Sequence, residues 1–141
     1  MNRKIILFNK VVNWVYLVFA IFFLAGTQLY SLGLREFLTY DIGVIALIGT
    51  FYMSFFAIFF IILTTAILQI TGTAVKNSNV RGYRVALGLM IAAEILTAVM
   101  LWTALKIDFS PILFGIMALM LLTALVQMYM TYTPAFVVDI G

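Results

Sequence analysis

Cysteine and histidine are both absent from this sequence of 141 residues. Their absence excludes disulfides, thiolate nucleophiles, histidine-ligated haem and the usual zinc and iron–sulfur sites. The sequence also offers no nucleophile beside a base and no cluster of acids, so we expect that the protein is not an enzyme. We likewise expect no metal and no cofactor held by side-chain ligands, although bound lipid, quinone or pigment is compatible with the sequence.

Charge is scarce as well, because charged residues make up 9% of the chain and hydrophobic residues 66%. A soluble domain is about half apolar and about a quarter charged, so the expected solvent of this chain is lipid. Four apolar runs are long enough to cross a hydrocarbon core of about 30 Å. We predict an all-α integral membrane protein, a single domain of residues 1–141 with four transmembrane helices in an up-down bundle. The predicted spans are residues 11–30, 43–68, 83–105 and 111–132.

Proline occurs only twice, and both prolines mark predicted helix ends. Ser110 and Pro111 fit an N-cap followed by proline at the first helical position, where the missing N–H costs nothing. Pro134 is expected to end the same helix. Residues 76–82, KNSNVRG, form the most turn-like stretch and separate the chain into two predicted helical hairpins.

The basic residues predict an orientation in the membrane. Cytoplasmic loops carry an excess of Lys and Arg, so the side with more of them should be cytoplasmic, or the matrix side in an organelle. We therefore expect both termini on that side, in a bacterial or archaeal cytoplasmic membrane or, alternatively, an organellar inner membrane. No basic run is interleaved with exposed aromatic residues, so we expect no nucleic-acid partner. The predicted cytoplasmic side has Arg3, Lys4, Lys10, Lys76, Arg81 and Arg84, and the other side has Arg35 and Lys106.

One carboxylate, Glu94, lies halfway along the third apolar run. An ionisable group at the centre of a membrane is costly and usually has a function or a partner in the protein interior. At similar depth we expect Tyr52 and Ser54 of the second span and Thr123 of the fourth, and Thr97 lies on the same face of the third span. These five residues form the predicted proton- or ion-binding site.

Three interpretations of Glu94 remain open at this stage. It is a neutral acid that joins helices by hydrogen bonds, or it carries a proton or binds a cation, or it pairs with a residue of another subunit. No Lys or Arg of the chain is expected at its depth.

Two further patterns concern helix packing. Gly88 and Ala92 have the small-xxx-small spacing that lets transmembrane helices approach closely. The second span carries a group of phenylalanines that we expect to face lipid, a partner helix or a hydrophobic cofactor. This group comprises Phe51, Phe55, Phe56, Phe59 and Phe60.

These observations favour a small non-catalytic subunit of a larger membrane complex. Such a subunit would pack against partner helices and line part of a proton, quinone or lipid path. The alternative is a homo-oligomeric transporter or channel in which Glu94 couples the movement of protons or cations. The expected partners are membrane lipid and either other membrane subunits or further copies of the chain.

Overall fold

A computed structural model describes residues 1–34, 41–107 and 109–137 of the chain and shows them as helical with short connections. The four α-helices are α1, Arg3–Leu34; α2, Asp41–Lys76; α3, Val80–Ile107; and α4, Pro111–Tyr132, which a short 3₁₀ helix, Pro134–Phe136, follows. Each α-helix contains a stretch that is long and apolar enough to cross a membrane. The prediction of an all-α chain with four such helices is thereby confirmed. The four stretches are Arg3–Leu29, Ile48–Lys76, Val80–Ile107 and Pro111–Tyr132.

The helices extend beyond three of the four predicted spans. α1 begins at Arg3, ahead of residue 11, and α2 continues to Lys76, past residue 68. Polar and charged residues end an apolar run, but they leave the backbone hydrogen bonds of the helix intact, so the helix continues past the hydrocarbon boundary. α4 has the predicted bounds. Arg35, one of the two basic residues predicted on the side opposite the cytoplasm, lies outside the described residues.

Two connections show how the sequence sets helix ends. Ser78 adopts a left-handed conformation with φ 53° in the turn between α2 and α3. Asn79 then caps α3, because its Oδ1 accepts a hydrogen bond from the N–H of Gly82 at 2.9 Å. Ser110 occupies the N-cap position of α4 ahead of Pro111, as predicted, but its side chain makes no capping hydrogen bond.

The chain forms two compact units. The first comprises Met1–Val12 and Ala66–Gly141, and the second is Asn13–Thr65. In the first unit α3 and α4 are antiparallel, since Arg84 near the start of α3 contacts Thr131 near the end of α4, while Leu105 and Met117 pack together at the opposite ends. The larger apolar core of this unit consists of Ile5, Ala74, Tyr83, Leu87, Ile91, Ala124 and Phe136.

Within the second unit, polar contacts link α1 to α2. The hydroxyl groups of Thr27 and Ser54 lie 3.1 Å apart, and Nε2 of Gln28 donates to Oγ of Ser54 at 3.0 Å. The rings of Tyr16 and Phe60 meet edge to face with centroids 6.4 Å apart. This unit therefore combines hydroxyl hydrogen bonds with aromatic packing.

Candidate functional site

Glu94 of α3 faces Gln127 of α4 inside the first unit. Neither side chain has any exposed surface. In the amide orientation that satisfies both groups, Nε2 of Gln127 lies 3.0 Å from Oε1 and 3.0 Å from Oε2 of Glu94 and donates toward both. A carboxylic acid in its neutral form donates instead to the amide oxygen, so a half-turn of the same amide suits the protonated acid. The pair can therefore hold Glu94 with or without a proton.

The register of the two helices explains why Gln127 is the partner. The hydroxyl of Tyr132 donates to the backbone carbonyl of Arg84, which aligns the end of α4 with the start of α3. Side chains of a helix point toward its N-terminus. In an antiparallel pair, the side chains of the two helices therefore point in opposite directions along the common axis and can approach each other. Glu94 points toward the start of α3 and Gln127 toward the start of α4, so these two long side chains meet between the helices.

The surroundings of the pair are apolar on α3. Met90, Ile91 and Ala98 are buried on the same helix within one turn of Glu94. Among the residues whose side chains the structure describes, no charged group acts on Glu94. Within the described part of the chain, a neutral amide is therefore the group that faces the carboxyl group.

A second polar cluster lies one helical turn further along α4. Nδ2 of Asn9 donates to the hydroxyl oxygen of Tyr83 at 3.0 Å and to that of Thr131 at 3.0 Å. All three side chains are buried. Oδ1 of Asn9 has no hydrogen-bond donor among the described residues. We call Asn9, Tyr83 and Thr131 the Asn9 cluster.

The two predicted site residues of α2 lie in the second unit. Tyr52 is 69% exposed, and its ring meets that of Phe51 edge to face. Ser54 is buried and, besides its contacts with Thr27 and Gln28, donates to the backbone carbonyl of Thr50 at 2.9 Å. Their predicted contact with Glu94 stays a prediction.

The predicted threonines bond to their own helices. The hydroxyl of Thr97 donates to the carbonyl of Ala93 at 2.8 Å, and that of Thr123 donates to the carbonyl of Leu119 at 2.6 Å. Both side chains are partly exposed. Their hydroxyl groups are thus engaged by the preceding turn, as is common for threonine within a helix.

Gly88 and Ala92, predicted as packing residues, have different surroundings. A Cβ on Gly88 would lie 2.6 Å from the hydroxyl oxygen of Tyr132, so the missing side chain leaves room for this hydroxyl group. Ala92 is exposed on the surface of α3. Packing of Ala92 against a partner helix stays a prediction.

Gln127 and Asn9 are not among the predicted site residues. The helical spacing of polar residues in the sequence nevertheless indicates both positions. Thr123, Gln127 and Thr131 recur every four residues on α4 and so share one helix face. Asn9 follows Asn2 by seven residues, which again keeps one face. A polar residue repeated at helical spacing in an apolar span indicates a face turned toward protein.

Comparison of the chain with protein-family models, with curated proteins and with solved structures gives no match.

Proposed function

We propose that this protein is a small, non-catalytic subunit of a larger multi-subunit membrane complex, in which its helices pack against partner helices. The observation that supports this proposal is a set of four glycines in the interiors of α1, α2 and α4. Within the described residues, no other part of the chain lies within 4 Å of the Cβ position of any of them. They are Gly26, Gly49, Gly72 and Gly115.

Open glycines of this kind are costly unless something packs on them. A glycine inside a helix is less favourable than alanine by roughly 0.5–1 kcal/mol, and no contact of the described chain offsets that cost here. In membranes, small residues at helix surfaces let the backbone of a second helix approach closely. A partner helix seated on these positions would explain why glycine stands there.

Native mass spectrometry of the protein extracted in mild detergent from its own membrane tests this proposal. We expect a complex with other polypeptides in fixed ratio. Gly115→Leu should release the chain from that complex, and Gly115→Ala should weaken its retention to a smaller degree, because each added side chain holds the partner backbone away in proportion to its size. A closed homo-oligomer of this 15.8 kDa chain, or a complex indifferent to Gly115→Leu, would contradict the proposal.

Such a subunit would sit in the membrane as an up-down bundle with both termini on the cytoplasmic or matrix side. The basic residues at the start of α1 and around the α2–α3 turn support this orientation. Because the chain has no cysteine of its own, single cysteines report sidedness cleanly. Ser78→Cys should react with an impermeant thiol reagent only from the cytoplasmic side, and Phe109→Cys only from the opposite side. The reverse pattern would overturn the orientation.

The Glu94–Gln127 pair favours a second candidate, a homo-oligomeric proton- or cation-coupled transporter or channel. A carboxyl group held by an amide, with no described counter-charge, can take up and release a proton without breaking an ion pair. Glu94→Gln keeps the shape and the hydrogen bonding but cannot hold a proton.

Proteoliposomes with a trapped pH-sensitive dye test this second candidate. This candidate predicts proton flux with the wild-type chain, loss of flux with Glu94→Gln, and unchanged flux with Thr123→Val, since the described hydrogen bond of the Thr123 hydroxyl stays within its own helix. Equal flux in wild-type and Glu94→Gln vesicles would exclude it.

A further inference from the structure

An open groove of about 430 Å³ lies where α3 begins and α4 ends. Both helix ends are also the ends of membrane-spanning stretches, so the groove lies at the level of the lipid headgroups. Its lining is mostly apolar but includes two guanidinium groups. The lining residues are Val80, Arg81, Arg84, Val85, Gly88 and Tyr132.

The first guanidinium is held in place by the end of α4. Nε of Arg84 donates to the backbone carbonyl of Thr131 at 2.9 Å, and Nη2 donates to that of Thr133 at 3.3 Å. The guanidinium carbon also lies 5.6 Å from the ring centroid of Phe136. These bonds use two of the five N–H groups of an arginine, so a fixed, planar donor remains available to an anion.

The second guanidinium, that of Arg81, has no partner among the described residues. Arg81 is exposed and lies three residues before Arg84, so both side chains project from the same face of α3. None of the described residues forms a salt bridge or hydrogen bond with the Arg81 side chain. The first turn of α3 also favours negative charge through its dipole.

The rest of the groove suits an acyl chain better than water. Val80, Val85 and the Tyr132 ring form an apolar wall beside the arginines, and Gly88 leaves room for the Tyr132 hydroxyl group. No acidic side chain of the described residues lines the groove. Two cations above an apolar wall, at headgroup level, match the two parts of a phospholipid.

We propose that this groove binds an anionic phospholipid, with its phosphate between Arg81 and Arg84 and an acyl chain along Val85 and Tyr132. Arginine forks match phosphate geometry, and basic pockets between transmembrane helices suit anionic headgroups. Inorganic phosphate would use the same two arginines but none of the apolar wall, so its binding should be much weaker.

The test uses the full chain, purified and delipidated in mild detergent. It is incubated with phosphatidylglycerol, with phosphatidylcholine of the same acyl chains, or with inorganic phosphate, and bound molecules are counted by native mass spectrometry. We expect phosphatidylglycerol to bind preferentially. Arg81→Gln should weaken its binding about fivefold, the contribution expected of one basic residue at an anionic lipid surface.

Lys76→Gln is the matched control, because Lys76 is an exposed basic residue at the end of α2 and does not line the groove. Its substitution should leave lipid binding unchanged. Equal binding of the two phospholipids, or equal weakening by Lys76→Gln and Arg81→Gln, would overturn the proposal. Displacement of phosphatidylglycerol by an equal concentration of inorganic phosphate would assign the groove to free phosphate instead and would also overturn it.

Discussion

The amide nitrogen of Gln127 lies 3.0 Å from both carboxyl oxygens of Glu94 when the amide is oriented to satisfy the pair, and both side chains are fully buried. This contact weighs against one of the three interpretations that the sequence left open. Glu94 faces the interior of its own chain, which favours an internal hydrogen bond or a proton site over pairing with another subunit. The remaining choice depends on whether the carboxyl group has a role beyond stability.

Gln127→Leu should destabilise the protein because it leaves the carboxyl group of Glu94 buried without its amide. An unsatisfied buried polar group costs about 1–3 kcal/mol, whereas replacing both partners by apolar groups of similar shape is nearly neutral. The double variant Glu94→Leu/Gln127→Leu should therefore recover most of the loss. The free energy of unfolding in mixed detergent measures this, with Thr123→Val as a near-silent control on the same helix face. A double variant as unstable as Gln127→Leu alone would show that the pair is not coupled.

Gly88→Ala should lower stability by about 0.5–1.5 kcal/mol, the contribution of one hydrogen bond. The new Cβ would lie 2.6 Å from the Tyr132 hydroxyl and would push it away from the Arg84 carbonyl. The ring carbon behind that hydroxyl is 3.9 Å away, so Tyr132→Phe should remove the clash. In a double-mutant cycle, Gly88→Ala should then cost little in the Tyr132→Phe background.

Gly115→Ala serves as the control for that cycle, because the chain leaves its Cβ position open. Its unfolding free energy should stay unchanged or rise by up to about 1 kcal/mol, the difference in helix propensity. A loss equal to that of Gly88→Ala would mean that any added methyl group destabilises these helices.

The helices themselves could be predicted from the sequence, since each apolar run is far longer than a buried strand and α4 has a proline at its start and another just beyond its end. Matching span centres indicated Tyr52, Ser54 and Thr123 as neighbours of Glu94 and did not indicate Gln127. Side chains lean toward the start of their helix, and this shifts the meeting point on α4 by one turn, to Gln127. Hydropathy also does not predict the early start of α1, because it reports the hydrocarbon boundary and not the end of backbone hydrogen bonding.

Asn9→Leu should destabilise the first unit by removing two hydrogen bonds, those to Tyr83 and Thr131. Side-chain hydrogen bonds within membrane proteins average about 0.6 kcal/mol and reach about 1.7. We expect a coupling of that size between Asn9→Leu and Tyr83→Phe in a double-mutant cycle of unfolding free energies. Strict additivity of the two substitutions would show that the Asn9–Tyr83 bond contributes nothing.

Phe136 should be the most sensitive position near the C-terminal end of the described chain. Its side chain is fully buried, its ring stacks on Tyr83 with centroids 5.0 Å apart, and its backbone carbonyl accepts the N–H of Asn2 at 2.8 Å. Phe136→Ala should lower the unfolding free energy by about 3–5 kcal/mol, because it empties a packed aromatic site. The substitution should also make the Arg84 guanidinium more mobile, because that group lies over the same ring.

Val137→Ala tests whether that loss is specific to packing. Val137 is the next residue along the chain but is 53% exposed, so its truncation should change the unfolding free energy by less than about 0.5 kcal/mol. If both substitutions have the same small effect, the 3₁₀ segment does not anchor the start of α3. If Phe136→Ala alone is costly and also weakens phosphatidylglycerol binding, the ring positions the Arg84 guanidinium as well as stabilising the fold.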